Sequence, residues 1–142
     1  MEKQKIAVIC TSNSCRSQMA EGYLRHFGGE KLEVHSAGTV KSQVNPYATA
    51  VMKEDGIDLT THESNSLEEL PQVHWDLVFT VCDEARESCP YLPAKKHLHH
   101  GFNDPASLEG TDEEILQGFR KTREEVKEYC RDLVAKLTGV SD

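Results

Sequence analysis

A short apolar run rich in β-branched residues opens this chain, and further short strand-like runs follow it, most of them leading through a polar stretch into a helical pattern. Residues 5–9, Lys-Ile-Ala-Val-Ile, run straight into the polar Cys-Thr-Ser-Asn-Ser, as a strand buried on both faces does where it meets a loop. Behind that loop Met19, Ala20, Tyr23, Leu24 and Phe27 share one face of a helix, which Gly28-Gly29 ends. A second run over 32–35 leads through Ser36-Ala37-Gly38 to Asn45-Pro46, a cap followed by Pro at the first helical position, and that helix ends at Gly56. A looser stretch, 58–67, precedes a third buried strand over 75–81. A helical segment over 83–88 then stops before Cys89-Pro90, and a fourth strand lies near 96–98. The segment 112–137 carries Ile115, Phe119, Val126, Cys130, Leu133, Val134 and Leu137 at mostly helical spacing. This alternation predicts an α/β fold: one three-layer domain over 1–142, with right-handed crossovers and a mostly parallel four-stranded sheet between helices. Such sheets bind ligands beyond the carboxyl ends of their strands, where Cys10 and Cys82 fall.

Charge and cysteine usage narrow what the ligand can be. The chain has 24 Asp and Glu against 16 Lys and Arg, a net charge of −8. That balance argues against a dominant nucleic-acid or anionic-membrane surface, although a local basic pocket is compatible with it. The first strongly apolar run, 6–9, is too short for a signal-peptide core or a membrane span, so a soluble, cytoplasmic protein is expected. Five Cys in such a compartment do not form a structural disulfide framework, because cytosolic reductants keep thiols reduced. Some of them are therefore candidates for chemistry.

The loop Cys10-Thr11-Ser12-Asn13-Ser14-Cys15-Arg16-Ser17 places Arg five residues beyond the first Cys and Ser next to it, at a strand-to-helix junction. Successive backbone N–H groups there can converge on a tetrahedral anion, favoured by the helix N-terminus. Arg16 can fork onto two oxygens of that anion, and its charge favours the thiolate of Cys10. Ser17 is placed to donate to the same sulfur, and Asn13 tolerates the left-handed conformation that shapes such a loop. A buried strand-end Cys and a solvated Arg would leave the same spacing, but the junction favours the nest. Cys15 reads as a packed thiol, as does Cys130 on the apolar face of the last helix.

With these residues placed, the chain resembles the low-molecular-weight tyrosine phosphatase superfamily, and within it the thioredoxin-coupled arsenate reductases. The resemblance rests on the loop 10–17 followed by Gln18-Met19-Ala20-Glu21-Gly22, then Ser36-Ala37-Gly38, Asn45-Pro46, Gly56-Ile57-Asp58, Cys82 with Cys89-Pro90, and Gly101-Phe102-Asn103-Asp104-Pro105-Ala106. It implies a flavodoxin-like winding, arsenate as substrate, thioredoxin as electron donor, no required cofactor, and a monomer. The phosphatase branch typically has tyrosines shortly after its Asp-Pro, whereas here Asp104-Pro105 leads into Ala106-Ser107-Leu108.

The resemblance implies that Asp104 is the general acid that protonates the departing oxygen as Cys10 attacks arsenic. Cys82 would then attack the Cys10 sulfur and release arsenite, and Cys89 would attack Cys82 and restore Cys10. In a helix, seven residues at about 1.5 Å each separate Cys82 and Cys89 by roughly 10 Å, whereas a disulfide needs Cα atoms within about 7 Å, so that bond requires the segment to unwind. Two other readings are a phosphatase, in which water resolves phospho-Cys10, and an oxyanion or redox sensor that stops after one equivalent of arsenate. Zinc on Cys10, Cys15, Cys82 and Cys89 fits poorly, because four and six residues intervene within the two pairs. His97, His99 and His100 read as surface histidines rather than metal ligands. The resemblance also allows a potassium ion, since related enzymes can hold one behind the anion loop, at positions that correspond here to Asn13, Glu21, Ser36, Glu63 and Asn65. The last two depart from the Thr and Asp of the family, and Glu21 also reads as a helix-surface acid.

Overall fold

The computed structural model describes residues 3–10, 13, 15–39, 42–81, 92–103, 105 and 108–139. Four strands, β1 (Gln4–Cys10), β2 (Leu32–Gly38), β3 (Trp75–Thr80) and β4 (Ala94–His99), form one sheet in the order β2-β1-β3-β4. The expected α/β fold is present, and the sheet is wholly parallel rather than mostly so. β1 is central, with Ile6, Ala7, Val8 and Ile9 all fully buried, so both of its faces are covered. β2 runs three residues beyond the expected 32–35, because Ser36, Ala37 and Gly38 pair with Val8, Ile9 and Cys10. β4 is an edge strand that carries Lys95 and Lys96 in exposed positions, a common protection against edge-to-edge pairing.

Helices α1 (Arg16–Gly28), α2 (Pro46–Glu54) and α3 (Asp112–Thr138) touch one another. Asn45 caps α2, its Oδ1 accepting from the Tyr47 and Ala48 amides, and Pro46 follows at the first helical position as the sequence pattern requires. α3 buries Phe119, Val126, Cys130 and Val134 along one stripe. Cys130 Sγ lies 3.9 Å from the Ala20 carbonyl, and burial pushes this thiol up, so it stays neutral and packs. The buried Tyr23 donates through Oη to Asp55, which also pairs with Lys127, while at the surface Arg120 and Arg123 converge on Glu54 and hold its carboxyl down at about 2. The helical segment expected over 83–88 lies outside the described residues, and with it part of the expectation of helices on both faces.

The turn from α1 into β2 depends on Gly28, whose backbone is ordinary right-handed helix. A Cβ there would lie 2.3 Å from Leu32 Cδ1 and 2.5 Å from Leu32 Cγ, on a side chain buried at the start of β2. Ala is favoured over Gly in a helix by about 1 kcal/mol, but overpacking costs about 1–3 kcal/mol. Gly28→Ala is therefore expected to lower the urea midpoint at unchanged m-value, despite its better helix propensity. A raised midpoint would show that Leu32 can move aside.

Candidate active site

The site is assembled where β1, β2 and β3 end. Cys10 is the last residue of β1, it is buried, and its carbonyl accepts from the Thr39 amide. Val81, just past β3, donates its amide to the Ile9 carbonyl at 3.0 Å. The chain entering Cys82 thus runs beside the chain entering Cys10. Phe102 donates its amide to the Val81 carbonyl at 3.0 Å, and its own carbonyl accepts from Arg16 Nη1 at 3.2 Å. Phe102 is held by rings, its centroid 4.7 Å from that of His100 and 5.8 Å from that of Tyr129. Tyr129 in turn stacks on Phe79. Arg16 is thereby anchored to a segment that begins two residues before Asp104.

Behind the loop a buried polar lattice sets its shape. Asn13 has φ 52°, the left-handed conformation the sequence suggests. Its Nδ2 donates to Ser17 Oγ (2.8 Å) and Ser36 Oγ (3.0 Å), and its Oδ1 accepts from the Asn65 amide (2.7 Å). Ser17 is therefore an acceptor toward Asn13, and that bond leaves its hydroxyl proton for a further donation. Gln18, fully buried, donates through Nε2 to the Asn13 and Glu63 carbonyls, so its Oε1 is the acceptor and His62 Nδ1, 3.0 Å away, carries a proton. Buried groups with all partners in place hold one geometry, as an anion nest requires. The first turn of α1 carries no acidic residue, so its N-terminal field is unopposed there.

Glu21 corrects the surface-acid reading. It is buried, it accepts from the Ser36 hydroxyl, and its Oε2 lies 2.9 Å from Arg25 Nε and 3.6 Å from His62 Nδ1. The Glu21–Arg25 spacing is that of an ordinary solvated i,i+4 pair, and Gln18 and His62 lie far apart in sequence. Nothing in local periodicity marks these residues as one unit.

The positions that the resemblance offers to potassium meet at this lattice, and a positive charge from the chain already stands there. A hard cation needs oxygen lone pairs turned toward it. Here one oxygen of Glu21 accepts from the Ser36 hydroxyl, and the other already faces the Arg25 guanidinium at 2.9 Å, where a cation would bind.

Of the residues singled out from sequence, Cys10, Asn13, Arg16 and Ser17 come together at the β1–α1 junction, with Cys15 buried beside them. Thr11, Ser12, Ser14, Cys82, Cys89 and Asp104 lie outside the described residues. Among the described residues no three His, Cys, Asp or Glu side chains form a metal-holding group. His97 and His100 are exposed, and His99 Nδ1 lies 2.8 Å from Thr80 Oγ1. No described helix is long and apolar enough to cross a membrane.

Known proteins are similar to this chain in sequence and in fold. The sequence pattern of the family described as low molecular weight phosphotyrosine protein phosphatase matches residues 5–140. The chain is 45% identical over 127 residues to the arsenate reductase of Halalkalibacterium halodurans, covering 89% of this chain and 91% of that one. The fold matches a solved arsenate reductase in the oxidized state with a TM-score of 0.81 at 32% identity, covering 94% of this chain and 98% of that chain. An arsenate reductase in the phosphate-binding state matches with a TM-score of 0.78 at 33% identity and the same coverage.

Proposed function

Because the chain belongs to the low molecular weight phosphotyrosine protein phosphatase family, and its similar relatives include arsenate reductases, we propose that it reduces arsenate to arsenite through three cysteines, with thioredoxin as the electron donor and arsenic detoxification as its role. The observation that carries this reading is the Val81-to-Ile9 hydrogen bond, which ties together the two strand ends that lead into Cys82 and Cys10. A phosphatase that resolves its intermediate with water needs no second thiol after β3.

In this mechanism the loop amides and Arg16 bind the arsenate oxygens. The Cys10 thiolate attacks arsenic(V), and an As–O bond breaks as Asp104 gives a proton to the oxygen, which leaves as water. The Cys82 thiolate next attacks the Cys10 sulfur. The S–S bond forms as the S–As bond breaks, and its electron pair goes to arsenic, which leaves as arsenic(III). Cys89 attacks Cys82 and expels the Cys10 thiolate, and a thioredoxin dithiol reduces the Cys82–Cys89 disulfide. The cycle consumes two electrons per arsenate and needs no bound cofactor. This reading places the enzyme in the cytoplasm, where thioredoxin is kept reduced.

Arsenite formation from arsenate with thioredoxin, thioredoxin reductase and NADPH tests it. The expected result is many turnovers, with NADPH oxidised in equal amount to the arsenite formed and no turnover when thioredoxin is omitted. Hydrolysis of an aryl phosphate without arsenite formation would make the chain a phosphatase.

A further inference from the structure

Next to the anion loop a cavity of about 300 Å³ is lined by Glu21, Arg25, Ser36, His62, Glu63 and Asn65, among others. The buried carboxylate of Glu21 would need a compensating charge there, because an isolated ionised carboxylate out of water is strongly disfavoured. The compensation comes from the chain itself. Arg25 Nε lies 2.9 Å from Glu21 Oε2, and Arg25 Nη2 donates to the Val34 carbonyl at 2.6 Å. The guanidinium is thus fixed at two points between α1 and β2. From Glu21 the lattice continues through the Ser36 hydroxyl to Asn13, which sets the loop at φ 52°.

We propose that Arg25 is the resident cation of the anion loop, a positioning residue that takes the place of a monovalent metal ion and makes the loop independent of potassium. This goes beyond the reductase reading, and its test requires no turnover, so either can fail without the other. Because Glu21 already has a covalently supplied cation whose donors also hold Val34, a metal ion entering the cavity would have to displace a bonded guanidinium. Arg25 is about half exposed at its side chain, so its substitution leaves the hydrophobic core intact.

The experiment is thermal melting of the full chain in KCl, NaCl and choline chloride at equal ionic strength, with and without inorganic phosphate, for the native protein, Arg25→Gln and Arg25→Lys. The native protein should melt at the same temperature in all three salts and be stabilised by phosphate equally in each. Arg25→Gln should melt lower in choline chloride and recover by about 3 °C or more in KCl, as binding of an ion to the folded state alone requires. Arg25→Lys, which keeps the charge, should remain salt-indifferent. Selective stabilisation of the native protein by potassium would overturn the proposal whether or not Arg25→Gln folds. A loss in Arg25→Gln that is equal in all three salts would also overturn it, leaving Arg25 as an ordinary ion pair.

Discussion

Replacing Cys89 by Ser is expected to stop the enzyme after one arsenite per chain, and replacing Cys82 by Ser is expected to stop it before any arsenite is released. The difference follows from where the electrons sit. In Cys89→Ser the Cys10 adduct can still be attacked by Cys82, so one arsenic(III) leaves and the protein is trapped with Cys10 and Cys82 oxidised. In Cys82→Ser the thiol that directly follows Val81, which is tied to Ile9, is gone, and Cys89, whose role in the relay is to attack Cys82, does not break the S–As bond in its place. Cys15 and Cys130 do not rescue the reaction in this reading. Both are buried, and burial pushes the Cys130 thiol up and away from the thiolate form. The measurement is arsenite per protein in a single-turnover quench with arsenate in excess, with thiols counted after unfolding. One arsenite and two thiols lost in Cys89→Ser, with none of either in Cys82→Ser, is the expected pattern. Sustained turnover in either variant would remove the three-thiol relay and require the external reductant to attack the adduct directly.

Much of the scaffold that sets this chemistry is legible in sequence, because it rests on local signals. The run at 5–9 is apolar enough to be buried on both faces, and Asn45-Pro46 marks a helix start by capping chemistry alone. Ser36, Ala37 and Gly38 look like loop because they are small and weakly β-forming. They extend β2 only because β1 offers them a ladder, which is a tertiary fact. The same contrast divides the site. Cys10, Asn13, Arg16 and Ser17 stand out because they share one short loop. Gln18, Glu21, Arg25 and His62 do not, because polar residues at helical spacing ordinarily face water. Their burial is decided by the segment around 62–65 lying against α1, a contact that no period in the sequence announces.

Arg16→Lys keeps the charge and is nonetheless expected to lower kcat/KM for arsenate by about 10²–10³-fold, or about 3–4 kcal/mol of transition-state stabilisation. A guanidinium has five donors in a rigid plane, whereas an ammonium is a point charge with three donors on a flexible stem. Here the plane is set by the bond from Nη1 to the Phe102 carbonyl, and Phe102 is itself held by the rings of His100 and Tyr129 and by the Val81 carbonyl. Lys can reach that carbonyl or the anion, but it cannot span both while forking onto two oxygens. The loss should therefore appear in kcat as well as KM, because the fork matters most as charge builds on the oxygens. Inorganic phosphate should also inhibit the variant more weakly, since it engages the same donors. A purely structural role predicts a different outcome, in which thermal stability falls and the surviving folded fraction keeps its kcat/KM. If Arg16→Lys retained kcat/KM within about fivefold, bidentate recognition would be worth about 1 kcal/mol or less, and the burden of holding the oxyanion would pass to the loop amides and the N-terminus of α1.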